Sequence, residues 1–208
     1  MFSLFKRQFS SKKGDSSHRN TENIVPLEIQ IDKLKEIGYS LSNDLSIDFL
    51  LNEFDRSVYE SDPYGCLLFT YGSEHQDSDG VWKQNSNDIF TFDTECVEDN
   101  GSYISIMEKF RSLAQGAFDI CNINDFVDFN SNKAWVSFDF QGKNHMKDLR
   151  LDDDWFDTKL IYLINELLRN SGCKKRFYTY SPDQNLIVVF QDENGAKQIA
   201  DLTTFEFK

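Results

Sequence analysis

Two short runs of the chain, at 92–99 and 151–160, hold the side chains best suited to chemistry. Both are rich in carboxylates. Asp93 and Glu95 are two positions apart, so on a strand they would face the same way, and such pairs can hold Mg²⁺. Joined with the second run, they predict a two-metal hydrolase site as one hypothesis. Apart from Asp157, the carboxylates of the two runs are Asp93, Glu95, Glu98, Asp99, Asp152, Asp153 and Asp154.

The same carboxylates have two other interpretations. Each run precedes a predicted helix, and the first turn of a helix carries free N–H groups and partial positive charge that carboxylates satisfy. Asp157 stands directly before the helix predicted at 158–172 and is expected to cap it. Trp155 is expected to pin the connecting segment to the core. An acidic face that meets a basic partner is compatible with capping. Since no lysine accompanies the acids at a recognisable spacing, capping is favoured over metal binding.

Motifs with an established mechanism are missing from the sequence. It has no Gly-rich phosphate loop, dinucleotide fingerprint, H-E-x-x-H or G-x-S-x-G. His18, His75 and His145 lie in the predicted tail, in a loop and near a hairpin turn. The four cysteines form no Cys-x-x-Cys pair, which predicts free thiols in a reducing cytoplasm. We therefore expect no cofactor, no bound metal and no enzymatic activity.

The charge of the chain is uneven. The net charge is −13, and residues 41–130 hold 18 acids against Arg56, Lys83, Lys109 and Arg111. A concentrated negative field speeds encounter with a basic partner and argues against nucleic acid, which needs clustered cations. Acidity that only keeps the protein soluble is the alternative.

The N-terminal residues 1–24 have the opposite character. They are basic and Ser-rich, and they include Phe2, Leu4, Phe5 and Phe9. Without a continuous apolar stretch or a small-residue cleavage site they do not resemble a secretory signal. We predict a flexible basic tail on a cytoplasmic protein. The less favoured alternative is a peripheral membrane or scaffold protein that uses this tail to contact an anionic membrane.

The pattern of apolar residues predicts the elements that position these groups. In the first half it predicts helices at 27–41 and 45–60, with Asp44 or Ser46 as the second N-cap. GCLLFTYG at 65–72 is predicted to be a buried strand, and a long polar loop follows it. Further predictions are a strand at 88–96 and a helix at 102–115.

The second half is predicted to be strand, strand, helix, strand, strand, helix. A hairpin at 133–151 turns at Gln141-Gly142, and the strongest helix spans 158–172. A second hairpin joins 175–180 to 185–191, and a short helix spans 195–202. We predict an α+β fold with a mostly antiparallel sheet. Residues 25–208 would form one domain, with 130 as an alternative internal boundary.

The distinctive parts of the sequence are the FDTE-x-V-E-D-x-G-x-Y stretch that begins at Phe92 and the DDDW-x-D stretch that begins at Asp152. Together with the surrounding pattern over residues 45–205, the chain resembles a group of small bacterial cytosolic proteins associated with polymorphic-toxin and contact-dependent inhibition loci. Proteins of that group are suspected immunity proteins. The resemblance carries over no catalytic residues.

The resemblance implies a binding protein that blocks one cognate toxin domain. Because toxins that cut nucleic acid are typically basic, their inhibitor would be acidic and would use exposed aromatics as anchors. The expected partner-binding residues are the seven carboxylates together with Trp82. Further candidate anchors, with a core position as the alternative for each, are Tyr59, Tyr64, Tyr71 and Trp155.

Overall fold

The computed structural model describes residues 24–208, and it shows an α+β fold. Of the predicted basic tail, only Ile24 falls within the described part, where its side chain is 65% exposed. The rest of that prediction lies outside the described residues. The described residues form seven helices and eight strands.

The helices and strands follow one another along the chain in the order α1–α4, β1–β3, α5, β4–β6, α6, β7, β8, α7. The helices are α1 Leu27–Glu36, α2 Ile47–Glu53, α3 Arg56–Ser61, α4 Gly65–Gly72, α5 Ser102–Leu113, α6 Lys159–Asn170 and α7 Glu193–Thr203. The strands are β1 Glu74–Gln76, β2 Trp82–Gln84, β3 Ile89–Asp93, β4 Ile120–Asp128, β5 Lys133–Phe140, β6 Lys143–Leu149, β7 Arg176–Tyr180 and β8 Asn185–Gln191.

All strand pairs are antiparallel, as predicted. One three-stranded sheet has the order β3-β8-β7, a second has the order β4-β5-β6, and β1 and β2 form a small hairpin. The turn between β5 and β6 places Gln141 at φ 51° and Gly142 at φ 72°, the left-handed pair that a two-residue hairpin requires. The internal boundary considered near residue 130 falls in the turn between the paired strands β4 and β5.

Strand β8 lies in the middle of its sheet and separates two apolar cores. Its residues alternate in direction because successive side chains of a strand point to opposite faces. Phe190 belongs to the first core, with Phe110 of α5, Leu160 of α6 and the inner face of the β4-β5-β6 sheet. Ile187 belongs to the second core, which is built mainly from helices α1–α4 and α7. Burial on both faces explains the unbroken apolar run of this strand.

Several predicted elements of the first half need correction. The stretch at 65–72 is helix α4 and not a strand. A short apolar run fits a buried helix as well as a buried strand, and here Gly72 lets the helix approach β3 closely. The helix predicted at 45–60 is two helices, because Phe54 is extended at φ −141° and ψ 151°. Its N-cap is Ser46, whose Oγ accepts from the amide of Asp48 at 3.2 Å. The predicted loop at 73–87 contains the β1–β2 hairpin.

The predicted order of the second half is confirmed, from β5 through α7. Strand β4 precedes it and was not predicted. A register shift between Cys121 and Asn124 interrupts its alternation, and Asn122 has φ 51° there. Within residues 24–208, no helix combines the length and the apolar character needed to cross a membrane.

Candidate functional site

The two acidic runs lie side by side in the structure, as two loops that share backbone hydrogen bonds. The main-chain oxygen of Asp154 accepts from the amides of Cys96 and Val97 at 3.0 and 2.9 Å. In return, the amide of Phe156 donates to the oxygen of Thr94 at 2.7 Å. These bonds join the loop after β3 to the loop before α6 in one unit.

Phe156 anchors this unit to the first core. Its side chain is only 4% exposed, and its ring lies 5.3 Å from that of Phe92 and 5.4 Å from that of Tyr103. Trp155, by contrast, is 40% exposed. The prediction that Trp155 pins the segment to the core is therefore wrong, because alternation along the short bridged stretch turns its neighbour inward instead.

Helix α5 is capped by a residue far along the chain and not by the acids that precede it. The carboxylate of Asp125, on β4, accepts from the amides of Gly101 at 2.8 Å, Tyr103 at 3.0 Å and Ile104 at 3.3 Å. The predicted capping role of the first acidic run is therefore wrong. Sequence reasoning missed Asp125, since no local pattern links β4 to this helix.

The capping prediction for helix α6 is confirmed for Asp157 alone. Its Oδ1 accepts from the amide of Lys159 at 3.0 Å, and its Oδ2 accepts from the amide of Arg150 at 2.9 Å. Asp152 instead forms an ion pair with the Arg150 guanidinium at 2.7 Å, and both side chains are well exposed. Such an exposed pair contributes little to stability.

Five carboxylates of the two loops have no structural task within the described residues. No hydrogen bond or ion pair within residues 24–208 engages the carboxylates of Glu95, Glu98, Asp99, Asp153 and Asp154. Asp93 differs, because its Oδ1 accepts from the Glu95 amide at 2.9 Å and its Oδ2 from Gln184 at 3.0 Å. We call the seven carboxylates of the two loops other than Asp157, namely Asp93, Glu95, Glu98, Asp99, Asp152, Asp153 and Asp154, the acidic surface.

The carboxylates of the acidic surface repel one another electrostatically. Loss of hydration, followed by the charges of Asp154, Asp93 and Asp153, raises the pKa of Glu95 above its ordinary value. Burial and the same concentration of negative charge raise the pKa of the Cys96 thiol to about 12. Negative charge on Glu95 and Cys96 is thus disfavoured, and a positively charged group of a partner would be attracted to this surface.

The side chains of the acidic surface are not arranged as a metal site. Among residues 24–208, no group of three or more His, Cys, Asp or Glu side chains is placed to hold a metal ion. The hypothesis of a two-metal hydrolase built on Asp93, Glu95 and 152–154 therefore has no geometric support in the described part of the chain.

The predicted aromatic anchors divide into exposed and buried side chains. Tyr59, Tyr64 and Tyr71 are buried in the second core, so the anchor interpretation is wrong for them. Trp82 is 58% exposed on the β1–β2 hairpin. An ion pair between Glu74 of the hairpin and Lys109 connects the hairpin to α5. Lys109 lies seven residues after Ser102, where α5 begins next to the acidic loops. Trp155 is the exposed aromatic that belongs to the acidic loops themselves.

A groove of about 770 Å³ opens beside the acidic surface. Its walls come from the first turns of α6, the strand β7 and the C-terminal residues 204–208, and it includes Asp152 and Trp155. Tyr162 of α6 is 70% exposed at its edge. The acidic surface and the groove are therefore contiguous, with Trp155 at their border.

Comparison with protein-family models, with curated proteins and with solved structures finds no match to this chain. The resemblance to immunity-type proteins therefore remains a prediction from the sequence.

Proposed function

We propose that this protein binds and neutralises a basic protein domain, in the manner of an immunity protein that blocks a nuclease-like toxin. The observation that carries the proposal is the pairing of the two acidic loops. Five of their carboxylates are left without a hydrogen bond or ion pair within residues 24–208, next to the exposed Trp155.

Charge repulsion within the acidic surface supports this interpretation. Carboxylates that stabilised the fold would be expected to have cationic or N–H partners, and Glu95 instead lies among like charges that raise its pKa. A basic partner would relieve that repulsion, and its positive field would speed encounter before any contact forms.

Trp155 supplies an aromatic side chain that could anchor a partner, which the carboxylates cannot do. Interfaces draw much of their binding energy from a few aromatic or arginine side chains surrounded by polar residues. The main chain of Trp155 is held by the backbone hydrogen bonds of its loop, so binding would cost little ordering of the backbone there. The proposed complex therefore has an aromatic anchor surrounded by carboxylates.

The proposed setting is the cytoplasm. All four cysteines are free, as expected of a protein in a reducing compartment. The proposed protein acts by binding, and it needs no cofactor.

Co-expression with the basic toxin domain encoded beside the gene tests the proposal. We expect the full chain to protect the host cell and to form a one-to-one complex with the toxin domain. The proposal is abandoned if the neighbouring coding sequence holds no toxin and no purified basic toxin domain binds the full chain, even at low salt.

A further inference from the structure

Strand β6 leaves one edge of the β4-β5-β6 sheet open. It pairs with β5 from Lys143 to Leu149 without a register shift, and no other strand of the described residues pairs with it. The side chains of Asn144, Met146 and Asp148 are exposed along the strand, and that of Met146 is 61% exposed. Because this edge carries neither a proline nor a bulge, it is a template on which a further strand can pair.

The turn between β5 and β6 determines which backbone groups of β6 are free. In a two-residue hairpin the residues that flank the turn, here Phe140 and Lys143, exchange both hydrogen bonds, and every second pair along the strands does the same. The N–H and C=O groups of Asn144, Met146 and Asp148 therefore point away from β5. Among the described residues they have no backbone or side-chain partner. They form an unpaired row of donors and acceptors along the edge.

We propose that two copies of this chain pair along β6, antiparallel about a two-fold axis at Met146, so that their three-stranded sheets join into one continuous sheet. A two-fold axis makes such a contact self-complementary, because each residue meets the same partner on both sides. When Met146 lies opposite Met146 of the second copy, Asn144 lies opposite Asp148. Every free N–H and C=O group of the two edges then gains a partner.

The side chains along the edge fit this register. The carboxylate of Asp148 has no hydrogen bond or ion pair within the described part of the chain. The side-chain amide of Asn144 donates one N–H to Asp139 at 2.9 Å, which leaves its second N–H to donate. In the proposed pair that second N–H faces Asp148 of the other copy, once on each side of the axis. The exposed Met146 packs against its own copy at the axis.

Charge favours this register over its neighbours. A shift of two residues in one direction would place Lys147 opposite Lys147, and a shift in the other direction would place Lys143 opposite Lys147. Like charges that lie directly opposite destabilise a strand pair. In the proposed register Lys147 lies opposite His145, and Lys143 lies opposite Leu149. Since β6 carries two lysines and one aspartate, the negative charge of the chain is not concentrated at this edge.

Sedimentation equilibrium of the full chain over a range of protein concentrations tests the pairing. We expect the average mass to rise from the 24.3 kDa of one chain towards twice that value. Asn144→Asp should raise the dimer dissociation constant about tenfold or more, because it sets two carboxylates opposite each other on both sides of the axis. The matched control combines Asn144→Asp with Asp148→Asn. It restores an amide opposite each carboxylate and should return the dissociation constant to that of the wild type.

A second pair of variants probes the backbone of the edge. Met146→Pro removes the free N–H at the axis without removing a bond to β5, and its ring obstructs a second strand. It should remain a monomer at every concentration, while Met146→Leu should pair like the wild type. If circular dichroism shows that Met146→Pro does not fold, Asn144→Asp and its control decide the question.

Two results would overturn the proposal. One is a wild type whose mass stays at 24.3 kDa at all concentrations. The other is a dimer that Met146→Pro and Asn144→Asp leave unchanged, because such a dimer would use another surface. The measurement contains no partner domain, so its result is independent of the proposed function.

Discussion

The main-chain oxygen of Asp154 accepts a hydrogen bond from the amide of Val97 at 2.9 Å, and this bond joins two acidic loops that are far apart in the sequence. It brings together carboxylates that neither loop could concentrate alone. Because the bond is made by the backbone, the side chains of both loops remain available to a partner. In the folded protein the carboxylates of the acidic surface therefore repel one another.

Phe156 should be the residue that keeps the two loops attached to the core. Phe156→Ala is expected to lower the free energy of unfolding by about 3–5 kcal/mol, the usual cost of an aromatic cavity. Trp155→Ala should cost no more than about 1–2 kcal/mol, because its side chain is partly exposed. Chemical denaturation of both variants checks this, and a larger loss for Trp155→Ala would reverse the assignment of the anchor.

Asp125 should stabilise helix α5 in place of the acids next to it. Asp125→Ala is expected to cost about 1–2 kcal/mol of unfolding free energy, as for other lost N-caps. Asp99→Ala, which removes the member of the first acidic run nearest to the helix, should stay within about 0.5 kcal/mol of the wild type. Thermal and denaturant unfolding distinguish the two, and equal losses would show that the capping assignment is mistaken.

Gly72 should be required for the contact between α4 and β3. A Cβ at this position would lie 2.1 Å from the Thr91 side chain and 2.7 Å from the Thr91 backbone nitrogen. Gly72→Ala is therefore expected to destabilise the protein by about 1–3 kcal/mol. Gly195→Ala is the control, since there the closest atom is the flexible end of Gln191. A Gly72→Ala variant as stable as the wild type would mean that α4 does not pack this closely.

The raised pKa of Glu95 in the acidic surface should lower the free energy of unfolding as the pH rises above the ordinary pKa of a glutamate. The folded-state pKa of Glu95 is raised above its ordinary value of 4.5, so in this interval the folded protein binds more protons than the unfolded chain. Stability then declines as the pH rises through the raised pKa. Glu95→Gln removes this contribution, and its stability relative to the wild type should increase from pH 4 to pH 7. A constant difference across that range, measured by denaturation, would count against it.

The parts of the fold that could be predicted from the sequence depend on local patterns. Helix α6 has an apolar stripe of helical period, and Gln141-Gly142 marks the β5–β6 hairpin. The failures have physical causes. The apolar run at 65–72 fits two structures, and only packing against Thr91 decides between them. In β4 a bulge hides the alternation that would reveal the strand.

The candidate site could be predicted only in part for a similar reason. Sequence reasoning found the carboxylates of both loops and the cap at Asp157. It could not find that the loops touch, that Phe156 and not Trp155 turns inward, or that Asp125 serves α5. Each of these depends on contacts between residues distant in the chain, which local propensity does not encode.

The central claim is that the acidic surface binds a basic partner, and the salt dependence of association tests it most directly. The test variant neutralises five carboxylates by Glu95→Gln, Glu98→Gln, Asp99→Asn, Asp153→Asn and Asp154→Asn. The matched control neutralises five exposed acids elsewhere, by Asp32→Asn, Asp44→Asn, Asp55→Asn, Glu193→Gln and Asp201→Asn. Both variants have the same net charge, so they separate the location of charge from its amount.

The measurement is the association rate constant of each variant with the proposed basic partner domain over a series of salt concentrations. We predict that the test variant associates about tenfold or more slowly than the wild type at low salt and depends less on salt, while the control stays near the wild type. Equal rates and equal salt dependence for the two variants would contradict the account.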